Sequence, residues 1–154
     1  MELDMGERTR KKVRIRTMTE GDLEAVVAID EKVLGEKRFS YWRRKITFRK
    51  EKSEVTGLVA EIDGQIVGFI LGEISGQAFR VPYTIGWIDT IGIDPVHQRE
   101  GVASALLNEV IKNFRQMGVE TVYTLVNWSS WDLLQFYKKA GFSRGDMINL
   151  ELRI

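Results

Sequence analysis

Residues 94–104 read Asp-Pro-Val-His-Gln-Arg-Glu-Gly-Val-Ala-Ser and stand between two strongly patterned segments. Before them, residues 85–93 are predicted as a strand, which Asp94-Pro95 ends because proline cannot easily continue a sheet. After them, apolar residues recur from Val102 to Met117 at the spacing that lines one face of a helix. This stretch therefore predicts a strand, a short polar loop and an amphipathic helix in succession.

The predicted start of this helix favours an anion. The first turn of a helix has backbone N–H groups without internal partners and carries the positive end of the helix dipole. Gly101, Ala103 and Ser104 are small, so an anion could approach the backbone closely, and Arg99 adds charge at the rim. We therefore predict a diphosphate site over residues 98–104, with a plain turn as the alternative. The Gly-Lys-Ser/Thr and Gly-x-Gly-x-x-Gly motifs of other phosphate sites are absent.

Outward from this junction, the chain alternates between strand and helix patterns. Helices are predicted from Thr19 to Gly35, from a Ser40 cap to about Lys52, from Val102 to Met117 and from Trp131 to Ala140. Strands are predicted at 13–17, 55–62, 65–74, 85–93, 121–126 and 147–154, with a hairpin turn at Asp63-Gly64. The order β-α-α-β-β-β-α-β-α-β predicts an α/β fold of the α+β mixed kind, in which helices cover both faces of a mixed sheet.

Composition limits what this chain can be. Its 154 residues fit one domain, which we place at 13–154 after a flexible charged tail at 1–12. The net charge of +1 predicts neither a nucleic-acid nor a membrane partner. No cysteine and one histidine, His97, leave no thiolate or metal cluster, so we expect no metal. We expect a cytoplasmic protein, and a homodimer is compatible with the sequence.

At the junction between the strand 85–93 and the helix that follows it, the chain resembles the GNAT superfamily of acyl-CoA N-acyltransferases. That family carries Gln/Arg-x-x-Gly-x-Gly/Ala at this junction, matched by Gln98, Gly101 and Ala103 and followed by Leu106-Leu107. A second landmark, a tyrosine near the end of a later helix followed by Gly-Phe, is matched by Tyr137 and Gly141-Phe142. The resemblance covers residues 13–154 and implies a GNAT-like, mostly antiparallel twisted sheet. It also implies acetyl-CoA as co-substrate and direct attack by an amine.

The resemblance implies roles for individual residues. The edge of the strand at Ile91 to Ile93 would pair with the pantetheine arm, and Tyr137 would protonate the leaving thiolate. The residues that would contact the cofactor are Ile91, Gly92, Ile93, Gln98, Arg99, Glu100, Gly101, Val102, Ala103, Ser104, Asn127 and Ser130. For Gly92 the residues alone offer two readings, close approach of a ligand or relief of a sheet bulge. Tyr137 also reads as a core aromatic residue.

The general base departs from the family pattern. Many members place a glutamate where this chain has Trp87. Asp89 lies two residues further along the same predicted strand, so it faces the same side. A carboxylate in a mostly apolar strand indicates either amine binding and proton removal or a hydrogen-bonded structural role. We predict Asp89 and Tyr137 as the catalytic pair, with that alternative open for Asp89.

The acceptor is predicted only as a class, namely a protein, peptide or small-molecule amine. The resemblance places its cleft at 34–42, 77–83 and 143–146. We expect an aromatic wall there, formed by Phe39, Tyr41, Trp42, Phe79 and Tyr83. Two other hypotheses remain, a non-catalytic acyl-CoA-binding module and an RNA adaptor that uses the basic tail and the second helix. The length of the acyl group is left open.

Overall fold

The computed structural model describes residues 11–51, 55–75 and 85–154. Residues 1–10, most of the predicted tail, lie outside the described residues. In the described part there are five strands, β1 (Arg14–Thr17), β2 (Val55–Ile62), β3 (Gln65–Ser75), β4 (Ile85–Ile93) and β5 (Thr121–Thr124). The four α-helices in these ranges are α1 (Leu23–Leu34), α2 (Phe39–Glu51), α3 (Val102–Gln116) and α4 (Trp131–Lys139).

The strands form one mixed sheet in the order β1-β2-β3-β4-β5. The first four pair antiparallel in sequence, and β4 pairs parallel with β5 after the crossover through α3. Asp63 and Gly64 join β2 to β3 with φ angles of 51° and 77°. Two positive φ values in succession are what a tight type I′ hairpin turn requires, so the turn predicted from this dipeptide is confirmed.

Helices cover both faces of the sheet, as the element order predicts. On one face Val110 and Phe114 of α3 pack against Ile70 and Ile88 of the strands. On the other face Val26 of α1 and Trp42 of α2 pack against Phe69 and other buried strand residues. The predicted fold class is therefore confirmed. None of the helices within the described ranges is long and apolar enough to cross a membrane.

The start of α2 differs from the sequence expectation. The helix begins at Phe39, so Ser40 lies inside it and the prediction of a Ser40 cap is wrong. The backbone N–H of Trp42 already donates to the Arg38 carbonyl at 3.1 Å. Arg38 is held in turn by two hydrogen bonds of 2.9 and 2.8 Å to Asp30 of α1. A tertiary contact therefore starts the helix earlier than a local capping signal would.

The predicted strand at 147–154 does not form, and this part of the predicted order is wrong for the single chain. These residues have no regular secondary structure and their side chains are exposed. The alternation of apolar and polar residues predicts a strand with one buried face, but alternation alone supplies no neighbouring strand. Without a hydrogen-bonded partner, the segment keeps the pattern of a strand and lacks the ladder.

Candidate active site

Strands β4 and β5 separate halfway along β4. Pairing runs only from Ile85↔Thr121 to Ile88↔Thr124, whereas β3 stays paired with β4 as far as Ile93. The described strands therefore leave the β5-side edge of residues 89–93 without a ladder. Thr124 closes the last paired position by donating its hydroxyl to the Ile88 carbonyl at 3.1 Å. An open strand edge of this kind can accept an extended, amide-containing ligand as an added strand.

Asp89 lies in a β-bulge at this point of separation. In the β3–β4 register Leu71 pairs with Thr90 and Gly72 pairs with Ile88, so Asp89 is the extra residue. A bulge redirects a side chain and is frequent beside active sites. Here the Asp89 side chain turns toward α2, a third exposed. The bulge thus presents a carboxylate where the strands part.

Two groups from α2 contact the Asp89 carboxylate. Lys45 Nζ lies 2.7 Å from Oδ2, and the Tyr41 hydroxyl donates to the same oxygen at 3.1 Å. Burial, with a further contribution from Asp89, raises the pKa of Tyr41 well above its usual value. Tyr41 therefore stays a hydrogen-bond donor to Asp89 at neutral pH. Trp87, the position of the family glutamate, is half-buried against the Tyr123 ring with centroids 5.2 Å apart.

Tyr137 approaches the same point from α4. Its side chain is 4% exposed and packs edge-on against Phe136 and Phe142, with ring centroids 5.1 and 5.0 Å away. Burial raises the pKa of the Tyr137 phenol, and a hydrogen bond with Thr124 opposes that rise. Tyr137 is therefore a core aromatic residue, which is one of the two interpretations of the sequence, and its role as an acid stays a prediction.

The loop between β4 and α3 is exposed and conformationally constrained. Arg99 has a φ of 65° and Gly101 a φ of 82°. The left-handed region is uncommon for a residue with a side chain, and such strain concentrates at ligand sites. Gly101 occupies the N-cap position of α3, where no side chain caps the helix. The first turn of α3 therefore has no side-chain cap, and a β-carbon built on Gly101 would meet nothing within 4 Å.

Asp94 holds this loop in place. Its side chain accepts from Lys32 Nζ of α1 at 2.8 Å and from the Val96 N–H at 3.2 Å. The hydrogen bond with Lys32 lowers the pKa of Asp94. The Asp94 N–H donates to the Val67 carbonyl at 2.8 Å, which fixes the end of β4 to β3. Farther along, the Nδ1 atom of His97 lies 3.0 Å from a Glu100 carboxylate oxygen.

The remaining predicted contacts lie between β5 and α4. The Asn127 side-chain oxygen accepts from both the N–H and the hydroxyl of Ser129, at 2.9 and 2.7 Å. Ser130 is the N-cap residue of α4, but its side chain makes no capping hydrogen bond. Asn127 therefore shapes the turn that brings α4, and with it Tyr137, back toward the sheet.

The structure explains why position 92 is a glycine, which the sequence alone did not. A β-carbon on Gly92 would lie 2.5 Å from Phe69 Cζ and 2.8 Å from Cε1. Phe69 is 1% exposed and fills the core below α1 and α2. Gly92 makes room for this ring, so neither a ligand nor a bulge is needed to explain it. The bulge itself lies at Asp89.

The predicted aromatic wall is partly wrong. Trp42 is fully buried and donates its Nε1 proton to Asp30 at 2.8 Å, so it belongs to the core and lines no cleft. Tyr41 and Phe39 remain accessible, Phe39 being 39% exposed. Phe79 and Tyr83, with the rest of 77–83, lie outside the described residues. Tyr41 and Trp42 are adjacent aromatic residues, and the sequence pattern of α2 did not show which of the two would face the core.

Sequence reasoning missed Thr124, Tyr41 as a partner of Asp89, and Lys45. Lys45 belongs to a basic run that reads as a solvated helix surface, and only the packing of α2 on the sheet brings it to Asp89. Thr124 carries a weak signal, a hydroxyl at the end of a β-branched strand. Over the three described ranges, no three or more His, Asp or Glu side chains are arranged to hold a metal ion.

This fold and site define a class, the acetyltransferases built on a sheet that opens between its fourth and fifth strands. The model of the acetyltransferase (GNAT) family matches residues 23–142. The chain therefore belongs to the GNAT family, whose general reaction is N-acetyl transfer, and the resemblance found in the sequence is confirmed.

Individual relatives agree with this assignment. The chain is 28% identical to an N-alpha-acetyltransferase of Sulfurisphaera tokodaii over 138 residues, 86% of this chain and 81% of that protein. It is 24% identical to an uncharacterised N-acetyltransferase of Methanocaldococcus jannaschii over 152 residues, 94% of this chain but only 66% of the longer relative. The fold also superposes on the PaiA N-acetyltransferase of Thermoplasma acidophilum in complex with coenzyme A. That match has a TM-score of 0.68 and 19% identity, and it covers 89% of this chain and 93% of that one.

Proposed function

We propose that this chain transfers an acetyl group from acetyl-CoA to a primary amine by direct attack within a ternary complex. The observation that carries the proposal is the continuity of one stretch, 88–104. It contains the open edge of β4 and the uncapped N-terminus of α3, joined by a loop with two positive φ angles. The open edge of β4 suits an amide-containing arm, and the N-terminus of α3 suits a diphosphate. These two groups are successive parts of coenzyme A.

On the donor side, the first-turn N–H groups of Val102, Ala103 and Ser104, which no side chain caps, would bind the diphosphate. Gln98, Arg99 and Glu100 form the outer rim, and Gly101 keeps the approach free of a side chain. Ile91 to Ile93 would hold the pantetheine arm along the open edge of β4, with Asn127 and Ser130 on the β5 side. The Thermoplasma acidophilum enzyme, whose structure contains coenzyme A, supports this assignment through its shared fold.

On the chemical side, the amine nitrogen attacks the thioester carbonyl carbon, the carbon–sulfur bond breaks, and the amine loses a proton. We propose that Tyr137 donates its phenolic proton to the leaving sulfur. Burial raises the pKa of Tyr137, so the phenol is protonated at neutral pH, as an acid must be. Asp89 would attract the ammonium form of the acceptor and accept its proton, directly or through water, once Lys45 gives way.

For the acceptor we propose the amino terminus of a protein or peptide. The Sulfurisphaera tokodaii relative, named for acetylation of an alpha-amine, shares 28% identity with this chain. In this chain the Asp89 carboxylate is partly exposed beside α2, so the amino terminus of a peptide could reach it from solvent. A small-molecule amine remains the second candidate. Acetylation of free-N-terminus peptides, compared with N-terminally blocked lysine peptides and small amines, separates these classes.

The test of the proposal is the substitution Tyr137→Phe. We expect turnover to fall about 10²- to 10⁴-fold, the usual contribution of a positioned acid, while the affinity for coenzyme A changes little. Release of free thiol is a direct assay here, because the protein has no cysteine of its own. The matched control is Tyr123→Phe, which removes a hydroxyl from a half-buried tyrosine on β5 and is expected to retain full activity.

The same measurements distinguish the alternative of a non-catalytic acyl-CoA-binding module. Tight coenzyme A binding without turnover of any amine in the panel would favour the module. Wild-type turnover in Tyr137→Phe would remove Tyr137 from the chemistry while leaving the transferase intact. Failure to bind coenzyme A at all would overturn the donor site.

A further inference from the structure

An amine of the chain itself lies at the proposed reaction centre. Lys45 Nζ is 2.7 Å from Asp89 Oδ2. Tyr41 stands one helical turn before Lys45 in α2, so the two side chains share a face of the helix. The Lys45 ammonium lies over the Tyr41 ring, 5.7 Å from its centroid, and the Tyr41 hydroxyl donates to the same Asp89 oxygen. A carboxylate and an aromatic ring face together bind an ammonium group. Lys45 therefore occupies the position expected of an acceptor amine.

The position of Asp89 in the sheet brings this amine to the place where the thioester would lie. Asp89 follows Ile88, the last residue of β4 that pairs with β5. The Ile88 carbonyl accepts from Thr124, which also forms a hydrogen bond with Tyr137. The proposed base and the proposed acid thus belong to the same point of β4, and Lys45 contacts the base there. An amine already held at this point need not bind from solution.

The ion pair leaves Lys45 free to move. The side chains of Lys45 and Asp89 are 31% and 33% exposed, so water reaches both. A partly exposed ion pair contributes little to stability, and the four-carbon stem of lysine is flexible. The Lys45 nitrogen can therefore leave the carboxylate and approach a neighbouring carbonyl carbon without unfolding α2.

We propose that Lys45 is an acetylation site, modified by the acetyl-CoA bound to its own chain in a single intramolecular turnover. This inference rests on the proposed function and names a second acceptor for the same site. The Lys45 ammonium first loses a proton to solvent by way of Asp89. Its nitrogen then attacks the thioester carbonyl carbon, and the carbon–sulfur bond breaks. The sulfur takes the phenolic proton of Tyr137, and the second proton lost by the nitrogen restores that phenol.

The products are Nε-acetyl-lysine at position 45, coenzyme A with a free thiol, and one released proton. Acetylation removes the positive charge of Lys45, so its ion pair with Asp89 is lost. The amide that forms is not an acceptor, so the modification occurs once in each chain. The Asp89 carboxylate is then left for the ammonium group of an external acceptor.

The first experiment incubates the full chain with acetyl-CoA and no other amine, and follows the modification by intact mass and peptide mapping. We expect one acetyl group per chain, on Lys45, with a first-order rate constant independent of protein concentration. Lys45→Arg keeps a positive charge beside Asp89 but removes the nucleophile, so it should abolish the addition. Lys112→Arg is the matched control. Lys112 also faces a carboxylate, with Nζ 3.5 Å from Glu109 Oε1, so this variant should be acetylated at the wild-type rate.

The second experiment separates this step from uncatalysed acetylation by free acetyl-CoA. The side chains of Lys32 and Lys112 are 54% and 62% exposed, against 31% for Lys45, so an uncatalysed reaction would favour those two lysines. Tyr137→Phe should slow the acetylation of Lys45 about 10²-fold or more, because the leaving sulfur loses its acid. The slow labelling of Lys32 and Lys112 should be the same in this variant as in the wild type.

Thiol release with a panel of external amines, measured in parallel, distinguishes the two ways of failing. Turnover of an external amine without acetyl-Lys45 would overturn the self-modification and leave the proposed function intact. Coenzyme A binding with neither product would overturn both. Comparable labelling of Lys45, Lys32 and Lys112, or an unchanged rate at Lys45 in Tyr137→Phe, would identify a chemical side reaction. A first-order rate constant that rises with protein concentration would show transfer between copies instead of within one chain.

Discussion

At the scale of single residues, Asp89 and Tyr137 reach one point of β4 in opposite electrostatic settings. Tyr137 is linked through Thr124 to the Ile88 carbonyl, and Asp89 is the next residue of the strand. The phenol is buried among aromatic rings, which keeps it neutral. The Asp89 carboxylate forms an ion pair with Lys45, with 2.7 Å between Oδ2 and Nζ. A buried, neutral phenol can donate a proton and a partly exposed carboxylate can accept one, so the two groups suit an acid and a base.

The prediction at this scale concerns Asp89→Asn. The amide keeps the shape of the side chain but accepts no proton and attracts an ammonium weakly. We expect kcat/KM for the amine to fall by about 10²-fold or more, with the KM for acetyl-CoA little changed. Steady-state rates at neutral pH, with the amine and acetyl-CoA varied in turn, provide the measurement.

Lys45→Gln serves as the control for that variant. It removes the ion-pair partner and leaves the carboxylate, so activity should stay within about tenfold of wild type. If instead Lys45→Gln and Asp89→Asn lose activity equally, the pair has a structural role and the base lies elsewhere.

At the scale of elements, the N-terminus of α3 depends on the backbone of Gly101. Its φ of 82° is reached easily only by glycine, and a β-carbon at this position would meet nothing within 4 Å. Gly118, just beyond the other end of α3, has a φ of 83° and equally open surroundings. Two glycines of matched conformation thus flank the helix, and only Gly101 lies at the proposed diphosphate site.

The prediction for this element compares Gly101→Ala with Gly118→Ala. Both should lower the free energy of unfolding by about 1 kcal/mol, the usual cost of a left-handed conformation for alanine. Only Gly101→Ala places a methyl group at the anion site, so it should weaken coenzyme A binding about tenfold or more. Calorimetric titration with coenzyme A measures the difference. Equal affinities in the two variants would contradict the proposed donor site.

At the scale of the whole molecule, Arg16 of β1 connects the segment before α1 to β2. Its guanidinium makes two hydrogen bonds of 2.8 Å to Asp22, just before α1, and one of 2.8 Å to Glu61 of β2. Asp22 is buried and also accepts from the Thr19 N–H at 2.7 Å. The hydrogen bond with Arg16 lowers the pKa of Asp22 below its usual 3.8.

This lowered pKa predicts a pH-dependent contribution to stability. A carboxyl group whose pKa is lower in the folded state stabilises fully above its unfolded pKa, and the effect disappears as pH falls through the folded value. Asp22→Asn should therefore cost about 1.5–3 kcal/mol near neutral pH, the range for hydrogen bonds to charged groups. The cost should shrink as the pH drops below about 4. Urea unfolding at several pH values tests this, and a cost independent of pH would contradict it.

The sequence by itself determined the type of every predicted element except the strand at 147–154, together with the hairpin turn and the class of the fold. These follow from local rules, since side-chain periodicity, proline and positive-φ glycine act within a few residues. The strand–loop–helix junction at 94–104 is local in the same sense, and its residues sufficed to predict an anion site. The sequence also placed Tyr137 near the end of α4 and Asp89 in β4.

Only the tertiary structure decided what each of these residues contacts. Lys45 reaches Asp89 because α2 packs across the sheet, and Thr124 meets Tyr137 because α4 returns over the end of β5. The place where β4 and β5 part, the bulge at Asp89 and the burial of Trp42 depend on contacts between distant residues. The segment 147–154 shows the difference most directly. Its alternation predicts a strand from the sequence, yet a strand exists only where another edge accepts its hydrogen bonds, and no local pattern specifies which edge that is.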